Sequence, residues 1–284
     1  MKIKITWLYL PLYLYISYIT LNTIIRGFLA GVDRTKPVSE KLVSLNTAMF
    51  DDISHWTSHE ARLNKLNQVK LPYFLDHLVP GSHVLDVGCG AGYQTELLAS
   101  ANFTVVGVDI SVSSVAYAEE RIILGGHFQA EQCKCLVGSA YALPFPDASF
   151  DGVVVSDTLE HLNDLPRAVD EISRVLKDDA VVVFDTFNRS PYSFLMLYLL
   201  MQKICAVIPR DAYDYRLFTT PEELVQLFGD YGFTTDLSQW RGIKVNVDSL
   251  VALASGGPEG LPEFKLVEDD LSGVYIGYFK RGFQ

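Results

Sequence analysis

The chain has 284 residues, 49% apolar and 20% charged, which is enough apolar material for a packed core and carries no signature of global disorder. Its 34 acids against 23 Lys and Arg leave a formal charge of −11, and without a Lys/Arg cluster such a surface repels phosphate backbones, which excludes a nucleic-acid substrate. Cys89, Cys133, Cys135 and Cys205 make no disulfide framework, and the C-x-C pair lacks the second pair that a zinc site needs, so they read as thiols in a reducing compartment.

Residues 1–36 differ from the rest. Between Lys4 and Arg26 no residue is charged, and such a run exceeds the roughly 20 apolar residues that cross a bilayer. Trp7, Tyr9 and Tyr18 suit the headgroup levels. The stretch is too long for a cleaved signal peptide, no small-x-small site follows it, and it is neither amphipathic nor Arg-rich as a mitochondrial presequence is. The expectation is an N-terminal apolar helix that anchors the chain in a membrane, followed by a catalytic domain over residues 37–284. The competing reading is a misplaced start codon.

From about Pro80 onward strand and helix patterns alternate. Residues 83–87 form a short β run and 94–100 a helix; 104–109 are the second strand and 113–124 the second helix. Residues 150–156 and 180–184 are further strands, with a helix over 166–176 between them. Such alternation implies a Rossmann-like α/β fold, a mostly parallel sheet expected to have seven strands, with right-handed crossovers, helices on both faces, and ligands beyond the carboxyl ends of the strands.

The first strand runs into Gly88-Cys-Gly-Ala-Gly92. This G-x-G-x-G spacing is not the G-x-G-x-x-G of dinucleotide sites, where a pyrophosphate lies over a helix N-terminus. With Asp86 at the strand end and Asp109 closing the second strand, it fits a bulky sulfonium ligand, S-adenosyl-L-methionine, lying close to the backbone at Gly88, Gly90 and Gly92. Asp86 is expected to face the cation or its amino group, and Asp109 to accept hydrogen bonds from the ribose hydroxyls.

A second chemical cluster is Ser156-Asp-Thr-Leu-Glu-His161. If a helix begins here, Asp157, Glu160 and His161 at i, i+3 and i+4 share one face, and two carboxylates with an imidazole suit a divalent ion, Mg²⁺ or else Zn²⁺ or Mn²⁺. The other reading keeps Glu160 as an orienting group and His161 at the border of the acceptor pocket, acting as general base. Further on, residues 192–207 carry the apolar run Phe194-Leu-Met-Leu-Tyr-Leu-Leu-Met201, which reads as a core helix.

The stretches Phe184-Asp-Thr-Phe-Asn-Arg-Ser-Pro-Tyr-Ser-Phe-Leu195, Val207-Ile-Pro-Arg-Asp-Ala-Tyr-Asp-Tyr-Arg-Leu-Phe218 and Thr220-Pro-Glu-Glu-Leu224 resemble the ubiquinone-biosynthesis O-methyltransferase family, as does the upstream run Leu63 to Phe74. The likeness covers roughly residues 49 to 245. It departs at Phe50-Asp-Asp-Ile-Ser-His-Trp56, where the family has a tryptophan pair with an adjacent acid, and at Gly256 to Pro262, which has no counterpart there. The resemblance implies methyl transfer to a catechol-type hydroxyl of a polyprenylated quinone precursor. It implies that Lys70, where the family has an arginine, contacts the cofactor carboxylate; that Ser139, often an Asp, meets the adenine; and that Asp151 is structural. Ser156 joins the cofactor side, and Glu160 and His161 are the catalytic candidates, with Asp157 in the metal set. It also implies that the apolar helix around Leu195 dips into a membrane beside the acceptor mouth. The expected location is the mitochondrial inner membrane in a eukaryote and the cytoplasmic membrane otherwise, in assembly with other quinone-biosynthesis enzymes. The alternatives are a methyltransferase of the same fold with another small-molecule or lipid acceptor, and a cofactor-binding membrane scaffold without turnover.

Overall fold

A computed structural model describes residues 33–38, 47–129, 131–204, 212–246 and 263–282. The expected anchor helix lies almost wholly outside them, and among the described residues no helix is long and apolar enough to cross a membrane. Arg34, which the sequence reading put in the anchor segment, is fully buried and donates to the carbonyls of Leu159 at 3.2 Å and Leu162 at 2.5 Å. Contacts of the catalytic domain therefore begin before residue 37.

In chain order the elements are α1 (Ile53–His77), β1 (His83–Val87), α2 (Tyr93–Ser100), β2 (Thr104–Asp109), α3 (Val112–Gly125), β3 (Cys133–Val137), β4 (Phe150–Val155), α4 (Leu165–Val175), β5 (Leu176–Phe187), α5 (Pro221–Asp230), β6 (Phe233–Thr234), β7 (Arg241–Val245), β8 (Phe264–Val267) and β9 (Val274–Arg281). The boundaries follow local chemistry. Asp52 caps α1 by accepting from the Ser54 N–H, and Ser111 caps α3 by accepting from that of Ser114. Thr220 and Glu223 form a reciprocal capping box at the start of α5. Gly126 ends α3 in the left-handed conformation that favours glycine.

The strands run in the order β3-β2-β1-β4-β5-β9-β7-β8, with β6 paired to β9. The first five are parallel, as the alternation implies. The remaining four are antiparallel, so the sheet has nine strands among the described residues rather than seven, and parallel pairing is confined to one half. The reason lies in β9, which returns along the full length of β5 from Val181↔Lys280 to Phe187↔Val274. Its partner is about 90 residues away, and only the folded chain brings the two together.

Both faces of the parallel half are covered. In β5, Val182 and Phe184 pack on one side among residues of α4 and α5, while Val181 and Val183 pack on the other among residues of α1, α2 and α3. The same two-residue alternation runs through β4, where Val153 and Val155 face one cluster and Val154 the other. Truncating a fully buried side chain such as Leu85 to alanine costs about 2–5 kcal/mol. This double burial holds the carboxyl ends of β1, β2 and β4 rigid on one edge, where the site forms.

The apolar run expected as a core helix is instead a π-helical segment, Phe194–Ile204, that follows a short turn. One side of it packs on Phe187, Tyr215 and Phe218 through Phe194, Leu197 and Tyr198, while Met196 and Ile204 are exposed.

Candidate active site

The loop after β1 sets the geometry. Gly88, Gly90 and Gly92 all have positive φ, 77°, 50° and 78°. At Gly88 a Cβ would lie 2.2 Å from Thr158 Oγ1, and at Gly90 it would meet the Trp56 ring at 2.5 Å, so side chains are excluded by contact as well as by conformation. The Gly88 N–H donates to the Val108 carbonyl at 2.7 Å, tying the loop to β2. Asp109, at the end of β2, accepts from the Gly90 N–H at 2.9 Å with one carboxylate oxygen and from the Ser111 N–H at 2.8 Å with the other. A carboxylate offers about four lone-pair sites, so Asp109 can hold the loop and still accept two hydroxyls. Burial pushes its pKa up.

Asp86 sits beneath this loop, 1% exposed, and accepts from the Thr95 hydroxyl at 2.6 Å. Burial raises its pKa to about 6. Trp56 covers the loop from the α1 side, its Nε1 donating to Ser114 Oγ at 2.8 Å and to the Phe50 carbonyl at 3.1 Å. Ser139 accepts from the Tyr141 N–H at 3.2 Å, in a turn after β3, and does not line the cavity beside the loop.

That cavity, about 300 Å³, extends from Asp86 and Gly88 past Ser156 and Asp157 to an apolar end formed by Phe187, Leu197, Met201, Val245 and Phe264. Its size suits a small organic ligand. His161 also lines it. Its ring lies edge-on to Phe50 with centroids 5.1 Å apart and stacks on Tyr213 at 5.2 Å. Burial pushes its pKa down to about 4, and Nδ1 has no hydrogen-bond partner.

The cluster at residues 156–161 is not built as the spacing suggests. No α-helix starts there. Asp157 takes a positive φ of 51°, and only the single turn Leu159–His161 follows. Asp157 and His161 line the cavity, but Glu160 is fully buried and turns to β5, where it accepts from the Thr186 hydroxyl at 2.9 Å. Burial, with Asp157 and Asp185 adding like charge, raises the Glu160 pKa to about 8, so the group is protonated at neutral pH.

Lys70 completes this picture. Its side chain is fully buried, and its ammonium donates to Asp157 Oδ2 at 2.5 Å and Ser156 Oγ at 3.1 Å and pairs with Asp185 Oδ2 at 2.9 Å. Ser156 in turn donates to Asp185 at 2.7 Å. Burial alone would lower the Lys70 pKa, but the two carboxylates outweigh it and hold the group charged. Its charge is thus engaged within the protein, and Lys70 does not line the cavity, whereas the resemblance has it contact the cofactor carboxylate. The expected metal set fails for the same reason. An ammonium stands on Asp157, Glu160 points away and is protonated, and among the described residues no three His, Cys, Asp or Glu side chains are placed to hold a metal ion.

Some contributors escaped the sequence reading. Tyr213 lay inside a quoted stretch but received no role, and Trp56 figured only as a departure from a family pattern. The aromatic walls around His161 come from chain regions more than 50 residues apart, so no local spacing signals them.

Comparison with known proteins agrees with this geometry. Residues 85–184 match the family described as a methyltransferase domain. The Ubiquinone biosynthesis O-methyltransferase of Thiobacillus denitrificans is 30% identical over 195 residues, covering 66% of this chain and 82% of that protein. The protein of the same name from Hahella chejuensis is 30% identical over 203 residues, covering 69% and 83%. Among solved structures, a possible histamine N-methyltransferase from Thermotoga maritima superposes with a TM-score of 0.58 at 19% identity, covering 82% of this chain and 98% of that one. The magnesium protoporphyrin IX methyltransferase of Synechocystis, solved with S-adenosylhomocysteine, gives 0.55 at 16% identity, covering 84% and 89%. These last two likenesses concern the fold.

Proposed function

The chain belongs to the ubiquinone biosynthesis O-methyltransferase family, and from that premise we propose that its acceptor is a catechol hydroxyl on a polyprenylated quinone precursor. It is an S-adenosyl-L-methionine-dependent O-methyltransferase. The cofactor supplies a methyl group on a sulfonium. Asp86 and Gly88 line the cavity that would take it, and Asp109, tied to the same loop, keeps acceptor capacity for its ribose, which is the fit expected of the residues present.

The observation that carries the acceptor reading is the neutral His161, packed against two aromatic rings in a cavity that Asp86 and Gly88 line together with apolar side chains. A free phenol has a pKa of about 10 and is a poor nucleophile at neutral pH. His161, unprotonated because it is buried, takes the phenolic proton as the oxygen attacks the methyl carbon and the carbon–sulfur bond breaks. Phe50 and Tyr213 fix the imidazole and flank an aromatic acceptor, and alignment in a closed site contributes about 7–11 kcal/mol. Asp157, held by Lys70, faces the same space and favours the imidazolium that forms. The donor set does not fit a divalent ion, and the reaction is read without one.

A prenyl tail leaves a bilayer at a cost of about 0.8 kcal/mol per CH₂, so the enzyme must work at a membrane. The uncharged run between Lys4 and Arg26 supports an anchor that ends before the buried Arg34, and the exposed Tyr192, Met196 and Ile204 support a second contact. We place it at the mitochondrial inner membrane in a eukaryote or the cytoplasmic membrane otherwise, beside other quinone-biosynthesis enzymes. The test is release of S-adenosylhomocysteine with short-chain prenyl catechols. Turnover on them supports the proposal, and activity confined to amines or non-aromatic acceptors overturns it. Deleting residues 1–30, which keeps the buried Arg34, should release the protein from membranes with cofactor binding intact.

A further inference from the structure

The turn that carries His161 has little to hold it locally. Asp157 takes a positive φ of 51° and only the single turn Leu159–His161 follows, so no helical ladder fixes the backbone there. Among the described residues the imidazole Nδ1 has no hydrogen-bond partner either. The direction of the ring is therefore set by the backbone of the turn and by the aromatic rings packed on it.

That backbone is gripped from far along the chain. Arg34 Nη2 donates to the carbonyls of Leu159 at 3.2 Å and Leu162 at 2.5 Å, the residues on either side of Glu160 and His161. The arginine is itself fixed at the start of α5. Its Nε donates to Thr219 Oγ1 at 3.4 Å and its backbone N–H to Glu223 Oε1 at 3.2 Å. Four residues on, the Val38 N–H donates to the Asn163 carbonyl at 2.8 Å. The Tyr141 hydroxyl accepts from the N–H groups of Asn163 at 3.0 Å and Asp164 at 3.3 Å, which holds the end of the turn. Arg34 is fully buried, and burial lowers its pKa to about 10, which leaves it charged at neutral pH. A buried guanidinium costs more than an apolar side chain of its size. What it adds is geometry, because one nitrogen bridging two carbonyls fixes their separation by charge-assisted hydrogen bonds.

We propose that Arg34 is a positioning residue for methyl transfer: by bridging the carbonyls of Leu159 and Leu162 it holds the turn between them so that the His161 imidazole faces the acceptor. This rests on the reading of His161 as the general base. It makes the geometry of the active site depend on a segment ahead of the methyltransferase-domain match, which begins at residue 85.

The test compares the full chain carrying Arg34→Met, Arg34→Lys, His161→Ala, or Arg34→Met together with His161→Ala. Arg34→Met should lower kcat on a short-chain prenyl catechol about tenfold to a hundredfold, and Arg34→Lys should keep part of it. Affinity for S-adenosylhomocysteine should stay within about twofold in both, which also shows that they are folded. If Arg34→Met does not fold, Arg34→Lys, which keeps the charge and a donor, carries the same comparison. With His161 already replaced, Arg34→Met should cost less than about a further twofold, because it acts through that ring. Ring signals followed by NMR give a readout apart from turnover. In Arg34→Met the His161 imidazole should begin to titrate between about pH 5.5 and 7.5, as a loosened turn admits water and relieves the burial that lowers its pKa. Asp157 and His55, the titratable groups that act on this ring, are unchanged in the variant. A lower melting temperature with kcat and the ring titration both as in the wild type would make Arg34 structural only and overturn the proposal. An equal loss of kcat with and without His161 would overturn it as well. If His161→Ala leaves the rate unchanged, the general-base reading falls, while the ring titration still decides whether Arg34 holds the imidazole.

Discussion

The Lys70 ammonium lies 2.5 Å from Asp157 Oδ2, joining the middle of α1 to the residue that follows β4 and its Ser156. This pair, extended to Asp185 at 2.9 Å, puts a fixed positive charge where the spacing of Asp157, Glu160 and His161 suggests a divalent ion.

Turnover should therefore survive a strong chelator, and added Mg²⁺ or Mn²⁺ should not raise it. Lys70→Met leaves two carboxylates facing each other with no counter-charge, and removing one partner of a buried pair costs about 3–5 kcal/mol. Loss of activity in chelator, restored by a divalent ion, would show that the lysine does not replace a metal.

Asp109 holds the cofactor loop through the N–H groups of Gly90 and Ser111 and has lone pairs left for ribose. Asp109→Ala should weaken cofactor affinity by about 1.5–3 kcal/mol, roughly tenfold to a hundredfold, because charged hydrogen bonds are lost. Titration calorimetry with S-adenosylhomocysteine reads this directly, and unchanged affinity would remove Asp109 from the cofactor site.

For His161 the sequence alone suggests a rate that rises through an imidazole-like pKa. Burial lowers that pKa to about 4, so the basic form is already saturated above about pH 5. The His161 imidazole should show no titration between about pH 5.5 and 7.5 when followed by NMR, and His161→Ala should lose about 10²–10⁴-fold in rate on a catechol. A His161 ring signal that titrates across pH 6–7 would contradict the buried, neutral imidazole.

Glu160 bears on stability. Its folded pKa, raised to about 8 chiefly by burial, lies above the unfolded value near 4.3, so between these the unfolded chain has fewer bound protons at this group and stability falls as pH rises. Glu160→Gln keeps an acceptor for the Thr186 hydroxyl and has no proton to lose. Its melting temperature should match the wild type near pH 4.5 and exceed it at pH 8. Parallel melting curves across that range would falsify the buried, protonated carboxyl.

What the sequence determined lies in short-range pattern. The glycine spacing at Gly88, Gly90 and Gly92 demands positive φ, Asp109 must end a strand beside it, and Val-rich strands alternating with helices make a parallel sheet covered on both faces. These follow from φ/ψ limits and side-chain periodicity within a few residues, which a sequence displays openly. Tertiary structure alone decided the partners. Lys70 turns to Asp157 and Asp185, Glu160 to Thr186, and Arg34 to the carbonyls of Leu159 and Leu162, and β9 runs antiparallel to β5. A charged side chain is stabilised by whichever opposite charge the fold brings within reach, and neither α1 nor the strand-end loop encodes that choice in its own spacing. The i, i+3, i+4 pattern at Asp157, Glu160 and His161 fails because a positive φ at Asp157 and a single tight turn replace the helix that would have put the three on one face.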